Sequence, residues 1–183
     1  LVTVRDSSGP GIVNHYNLFP SAELTGMPAP GVSSGQIVET MDRVAADNLL
    51  GHSSTYDQDK DCGVTFSRPQ AGFVGLSMAQ AKAKGIDAVE AKMPMSIDAK
   101  AMITGETEGM IKLVADKASG RIIGVHYLAD HTDTLIGTGV MMVAGEMTLT
   151  QVARAIFPHP TQTELFGELA RRLLNRLRRT AKK

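Results

Sequence analysis

The sequence predicts an α+β fold, a mostly antiparallel sheet with helices packed on it, behind a short β-rich N-terminal segment. Three observations predict it. The alternating runs "GMIKLVAD" and "RIIGVHYLA" flank "KASG", the pattern of an antiparallel hairpin. Beyond residue 132 the apolar period changes to three and four, as in Leu169, Leu173, Leu174 and Leu177, which predicts docked helices. Between His52 and Asp61 the stretch "HSSTYDQDKD" has no hydrophobic period, and it separates this region from an N-terminal part of different character.

In order, "LVTVRD" reads as a strand, "SSGPG" as a turn, "IVNHYN" as a second strand and "SAELTG" as a third. "MPAPGVSSG" is a proline and glycine loop, from which Ser33 or Ser34 can cap the helix "GQIVETMDRVAADNLL". Ile37, Val38, Met41, Val44 and Ala45 share one face of that helix. After the polar stretch, "GVTFS" is a strand and "PQAGFVGLS" a turn running through a short strand. "MAQAKAKG" is a helix closed by Gly85, and "DAVEAKMPM" a strand whose proline favours a sheet edge. The hairpin follows, and then helices over about 132–145, 148–156 and 161–178.

Composition narrows the function classes. A length of 183 residues suits one domain, or one with a smaller appended unit, and 43% hydrophobic residues suffice for a packed core. With 4% aromatics, no Trp and 10 Met, aliphatic and methionine side chains must fill that core. A formal charge of +0 argues against a surface addressed to nucleic acid or anionic membrane. The cations Arg171, Arg172, Arg176, Arg178, Arg179, Lys182 and Lys183 read as a solvated helix end; the alternative is a nucleic-acid or lipid contact. No run of about 18 apolar residues is present, and no signal-peptide pattern, so neither a membrane nor export is expected, and a cytoplasmic setting is. Cys62 is the only cysteine, which leaves no internal disulfide, redox pair or zinc cluster; it reads as a small core residue. Beginning at Leu1 within a strand pattern, the chain reads as a fragment or trimmed product.

One motif carries chemistry. In "AIFPHPTQTELFGEL", Pro158 and Pro160 remove two backbone donors and fix φ on both sides of His159. Thr161 can cap the next helix, with Glu164 completing a capping box, but that account gives no reason for a histidine. The functional account is a rigid loop presenting an imidazole whose second nitrogen is oriented by a carboxylate. Elsewhere, His126 and His131 with Asp130 and Asp133 are a weak metal reading, because Asp130 or Thr132 serves better as a helix cap, and no metal site is expected. His15 and His52 are isolated. Met141, Met142 and Met147 read as packing, and Gly137 and Gly139 as points of close helix approach.

"FPHPTQTE" resembles the His-Pro-Thr-x-x-Glu motif of the FAD-dependent pyridine nucleotide–disulfide oxidoreductases, which include dihydrolipoamide dehydrogenase and mercuric reductase. "VTFSRPQAGFVGLSMAQAKAKG", the hairpin region and "MTLTQVARAIFPHPTQTELF" resemble successive parts of that family's C-terminal dimerisation domain, over about Ala45 to Leu174. The resemblance implies a homodimer in which His159 is the catalytic acid/base and Glu164 its polarising partner, acting on the redox disulfide of the other subunit. It implies FAD and NAD(P) for the full-length enzyme. This chain has no G-x-G-x-x-G fingerprint and no paired cysteines, so no cofactor is expected on it, and the missing FAD/NAD(P)-binding domains are expected partners. It also lacks the C-terminal cysteine pair of mercuric reductases. Alone it is expected to be inactive.

The N-terminal part resembles something else. "YNLFPS" followed by "APGVSSG" and a helix resembles a stretch of the periplasmic porter region of resistance–nodulation–division efflux transporters. The expected organisation is therefore residues 1–44 as a transporter-like segment, 45–60 as junction and polar loop, and 61–183 as the dimerisation domain, joined as a chimera or fusion. The alternative function is a non-catalytic binding or structural module, either transporter-derived or an inert dimer.

Overall fold

The computed structural model describes residues 14–16, 19–21 and 34–180. The chain divides into two units, Leu1–Tyr56 and Asp57–Lys183. In the first, β1 (Asn14–Tyr16) pairs antiparallel with β2 (Phe19–Ser21), and α1 spans Ser34–Leu49. The expected strand "LVTVRD", the turn "SSGPG", most of "SAELTG" and the cap residue Ser33 lie outside the described residues. Of the expected apolar face of α1, Met41, Val44 and Ala45 are half-buried whereas Val38 is exposed. Asn48 closes the helix by donating Nδ2–H to the Val44 and Ser54 carbonyls at 2.7 and 3.0 Å.

The second unit is built on a five-stranded sheet. Its strands are β3 (Cys62–Thr65), β4 (Gln70–Gly75), β5 (Ala88–Pro94), β6 (Met110–Asp116) and β7 (Ile122–Ala129). Their spatial order is β3-β4-β7-β6-β5 and every pairing is antiparallel, as the alternating patterns predict. β5 is an edge strand and ends on Pro94, where a missing N–H costs no ladder bond. β6 and β7 are the expected hairpin, with a register shift at Val114/Ala115.

Alternation sends one face of this sheet into the core. Val74, Val89, Ala91, Met93, Ile111, Leu113, Val125 and Tyr127 point that way and are buried. The face is covered by α4 (Thr132–Ala144) and α6 (Glu164–Thr180), and α5 (Leu149–Arg154) packs on α6. From α6 come Leu165, Phe166, Leu169, Ala170 and Leu173, three and four residues apart and all buried. Phe166 meets the Tyr127 ring edge-on, with centroids 6.1 Å apart and planes at 80°. The scarcity of aromatics makes this contact a central one. Gly139 lets α4 close onto the sheet, since a Cβ there would strike the Tyr127 hydroxyl; Gly137 faces open space.

Short helices α2 (Met78–Ala83) and α3 (Ala99–Thr104) complete the unit. A Ser77–Gln80 capping box starts α2, and Gly85 follows its end at φ +73°. The sequence pattern missed α3, which is only six residues long and is capped by the buried Asp98 through a 2.8 Å bond from the Ala101 N–H. The expected cap of α4 is corrected. His131 holds the cap position without a side-chain bond, and neither Asp130 nor Thr132 caps the helix. Gln70 of β4 instead accepts the Asp133 N–H at 2.9 Å, while the Thr132 hydroxyl donates to the Ala129 carbonyl. No helix among the described residues is long and apolar enough to cross a membrane.

Candidate functional site

The loop between α5 and α6 carries His159. A Thr148–Gln151 capping box starts α5, which ends at Arg154. Residues 154–156 and 158–160 are exposed, Phe157 is half-buried, and the His159–Pro160 bond is cis. The chain then turns through Thr161–Thr163, and α6 begins at Glu164, later than the expected start at 161. Only half of the expected capping box forms. The Thr161 N–H donates to Glu164 Oε2 at 3.0 Å, but the Thr161 hydroxyl donates backwards to the Pro158 carbonyl at 2.7 Å.

These bonds set the geometry of the imidazole. His159 Nδ1 lies 3.1 Å from both carboxylate oxygens of Glu164. The Thr161 N–H, and then the His159 ring, hold the Glu164 carboxyl below its ordinary value of 4.5. An ionised carboxylate only accepts, so Nδ1 carries the proton and Nε2 presents its lone pair outwards. The His159 side chain is 70% exposed, so a partner group can reach Nε2. The arrangement can take and return a proton at one defined atom.

Because the folded-state value of Glu164 lies below the unfolded one, its contribution to stability is fully present above the ordinary carboxylate range. It fades as pH falls through the lowered value. We therefore expect the Tm of Glu164→Ala to lie below wild type at neutral pH, with the gap closing towards acid. A gap that stays constant between pH 7 and about pH 2 would count against these bonds.

The other titratable groups lie apart. His131 Nε2 meets Glu106 Oε2 at 3.0 Å, and His126 is in β7, so the two do not converge. Among the described residues no group of three or more His, Cys, Asp or Glu could hold a metal ion. Cys62 is half-buried and packs against the core. Several cations of α6 have partners: Arg171 and Arg172 meet Glu168, and Arg176 donates to the Glu90 carbonyl at 2.7 Å.

Residues 62–170 match the model of the pyridine nucleotide-disulphide oxidoreductase dimerisation domain. The chain belongs to that family.

As a dimerisation domain it is similar to dihydrolipoyl dehydrogenase of Geobacillus stearothermophilus, at 32% identity over 84% of this chain and 32% of that enzyme. It is also similar to mercuric reductase of Acidithiobacillus ferrooxidans, at 35% identity over 82% of this chain and 27% of that enzyme. The crystal structure of LpdA from Mycobacterium tuberculosis shares the fold, with a TM-score of 0.72 at 22% identity, over 79% of this chain and 32% of that one. The chain thus spans about a third of the length of the curated relatives it matches. A match over 84% of the chain leaves too few residues outside to exclude Ser34–Leu49, so the likeness to dihydrolipoyl dehydrogenase runs through α1. The comparisons lend no support to the transporter resemblance of residues 1–44.

FAD and NAD(P), which the family implies, do not fit this dimerisation domain. Nucleotide sites of the open α/β type sit beyond the carboxyl ends of parallel strands, at a glycine-rich turn into a helix. Every pairing in this sheet is antiparallel, and no such turn is present among the described residues.

Proposed function

We propose that this chain is the dimerisation and acid/base-supplying module of a flavin-dependent NAD(P)H–disulfide oxidoreductase. The observation that carries the reading is the His159 ring, held at Nδ1 by Glu164 with Nε2 turned outwards on an exposed loop. In a pair of subunits this loop serves the redox disulfide of the partner. Nε2 takes the proton of a thiol as the thiolate forms, and returns it when the thiolate is next protonated. Glu164 stabilises the imidazolium between those two events. The cofactors belong to nucleotide-binding domains that precede this one, and α1 is assigned to the end of that part. On its own the chain is an inert pairing module, expected to oxidise no NAD(P)H. Joined to those domains it is expected to support NAD(P)H-dependent disulfide reduction, which is the test of the reading.

Self-association follows from the same assignment. The outer face of α4 is lined by Thr134, Gly137, Met141 and Ala144, spaced three and four apart and exposed, with Met141 at 69%. Sedimentation of the purified chain should show dimers at micromolar concentration, and Met141→Lys should shift them towards monomer. A wild-type chain that stays monomeric throughout that range would contradict the pairing role.

A further inference from the structure

Between Arg154 and Pro160, Phe157 is the one residue that is not exposed. Its ring rests on α6 at Gly167, a buried glycine early in that helix. A Cβ at Gly167 would lie 3.0 and 3.1 Å from Phe157 Cε2 and Cδ2, and 3.3 Å from Arg171 Nη1. Glycine inside a helix is less favourable than alanine, so the close approach of the ring accounts for it here. Arg171 adds a second hold on the same stretch. Its Nη1 donates to the Ala153 carbonyl at 3.3 Å, near the end of α5, where helix carbonyls lack partners of their own. Glu168 orients the guanidinium by accepting from Nε at 3.2 Å. Downstream of the histidine, Glu164 accepts from the Thr161 N–H and from the His159 ring. Glu164, Gly167, Glu168 and Arg171 are three and four residues apart, so one face of α6 carries these contacts.

We propose that Phe157, seated on Gly167, is a positioning residue for His159: it fixes the upstream end of the loop, so that the ring stays on Glu164 with Nε2 turned outwards. The inference rests on the acid/base reading above and adds the side chains that hold the base in place. Pro158 and Pro160 stiffen the backbone around the histidine, but stiffness alone does not decide where a segment points. Direction needs an anchor at each end. Thr161 and Glu164 supply the downstream one. Phe157 supplies the upstream one, two positions before the histidine, where a tilt of the segment becomes a displacement of the ring. A displacement of about 1 Å takes Nδ1 out of hydrogen-bonding range of a carboxylate that it meets at 3.1 Å. Ile156, the neighbouring apolar residue, is 97% exposed and cannot share this task.

The test reads the tautomer of His159 by nitrogen NMR in the whole 183-residue chain at alkaline pH, with the signal assigned by its loss in His159→Ala. Wild type should hold the ring proton on Nδ1. Phe157→Ala should lose most of that preference, and Phe157→Leu, which keeps an apolar plug, should recover much of it. Gly167→Ala should shift the tautomer in the same direction, because the added methyl displaces the ring. Adding Phe157→Leu to Gly167→Ala should restore the preference, a coupling expected of side chains in contact. Ile156→Ala alters the same loop at an exposed side chain, and Leu173→Ala opens the core further along α6. Both should leave the tautomer as in wild type, although Leu173→Ala lowers Tm. Circular dichroism confirms that each variant folds. An unchanged tautomer in Phe157→Ala overturns the proposal, and so does an equal shift in Leu173→Ala, which would mean general loosening. Joined to the nucleotide-binding domains, Phe157→Ala should lower kcat by about tenfold or more with KM for NAD(P)H unchanged. If His159→Ala is slow there and Phe157→Ala is not, this proposal fails and the acid/base reading stands. If His159→Ala turns over like wild type while the tautomer still follows Phe157, the acid/base reading fails and the anchor stands.

Discussion

His159→Ala, placed in an enzyme reassembled from this domain and the missing nucleotide-binding domains, is expected to lower turnover by about 10²–10⁴-fold, the contribution of a positioned acid/base. The effect should be large because Nε2 is the ring nitrogen left free once Glu164 holds Nδ1. Glu164→Gln should cost less. An amide oxygen can still accept the Nδ1–H and the Thr161 N–H, but it cannot stabilise an imidazolium as a carboxylate does. In nitrogen NMR of the isolated chain at alkaline pH, wild type should show the proton on Nδ1, and Glu164→Ala should shift it towards Nε2. The kinetic and spectroscopic readings are independent. If His159→Ala folds, pairs and turns over like wild type, the loop between Pro158 and Pro160 is only a turn.

Phe166→Ala should have the largest effect on stability. Phe166 is fully buried on α6, against the edge of Tyr127, whose hydroxyl reaches the Leu135 carbonyl at 3.4 Å. Removing a buried phenyl ring costs about 3–5 kcal/mol, through lost transfer energy and the cavity left behind. For a domain of this size that should lower Tm by more than about 10 °C, readable by calorimetry or circular dichroism. A drop of only a few degrees would mean that α6 and β7 can close over the gap. Leu169 and Leu173, also fully buried on the same helix, offer two further substitutions to separate a local collapse from general loosening.

Much of this was legible in the sequence, for reasons that lie within a few residues of chain. The alternation of β6 and β7, the glycine after α2 and the proline of edge strand β5 are statements about local backbone geometry. The pairing of His159 with Glu164 was legible as well, because the two are five positions apart on either side of a helix start. The start of α6 was read a turn too early, because the Thr161 hydroxyl turns back to Pro158 and the capping box closes only halfway. Helix α3 is too short to show an apolar period, and its cap Asp98 gains its weight from burial.

The sequence by itself determined the alternation of strands, the helix spacing and the composition of the histidine loop, since all of these follow from local propensity and periodicity. Only the tertiary structure decided which distant groups meet. Gln70 caps α4 across 63 positions, Arg176 of α6 satisfies the carbonyl of Glu90 in β5, and burial in the sheet pushes His126 down to about 4. Hydrogen bonds and burial of this kind exist only once the chain has closed, so no window of neighbouring residues contains them.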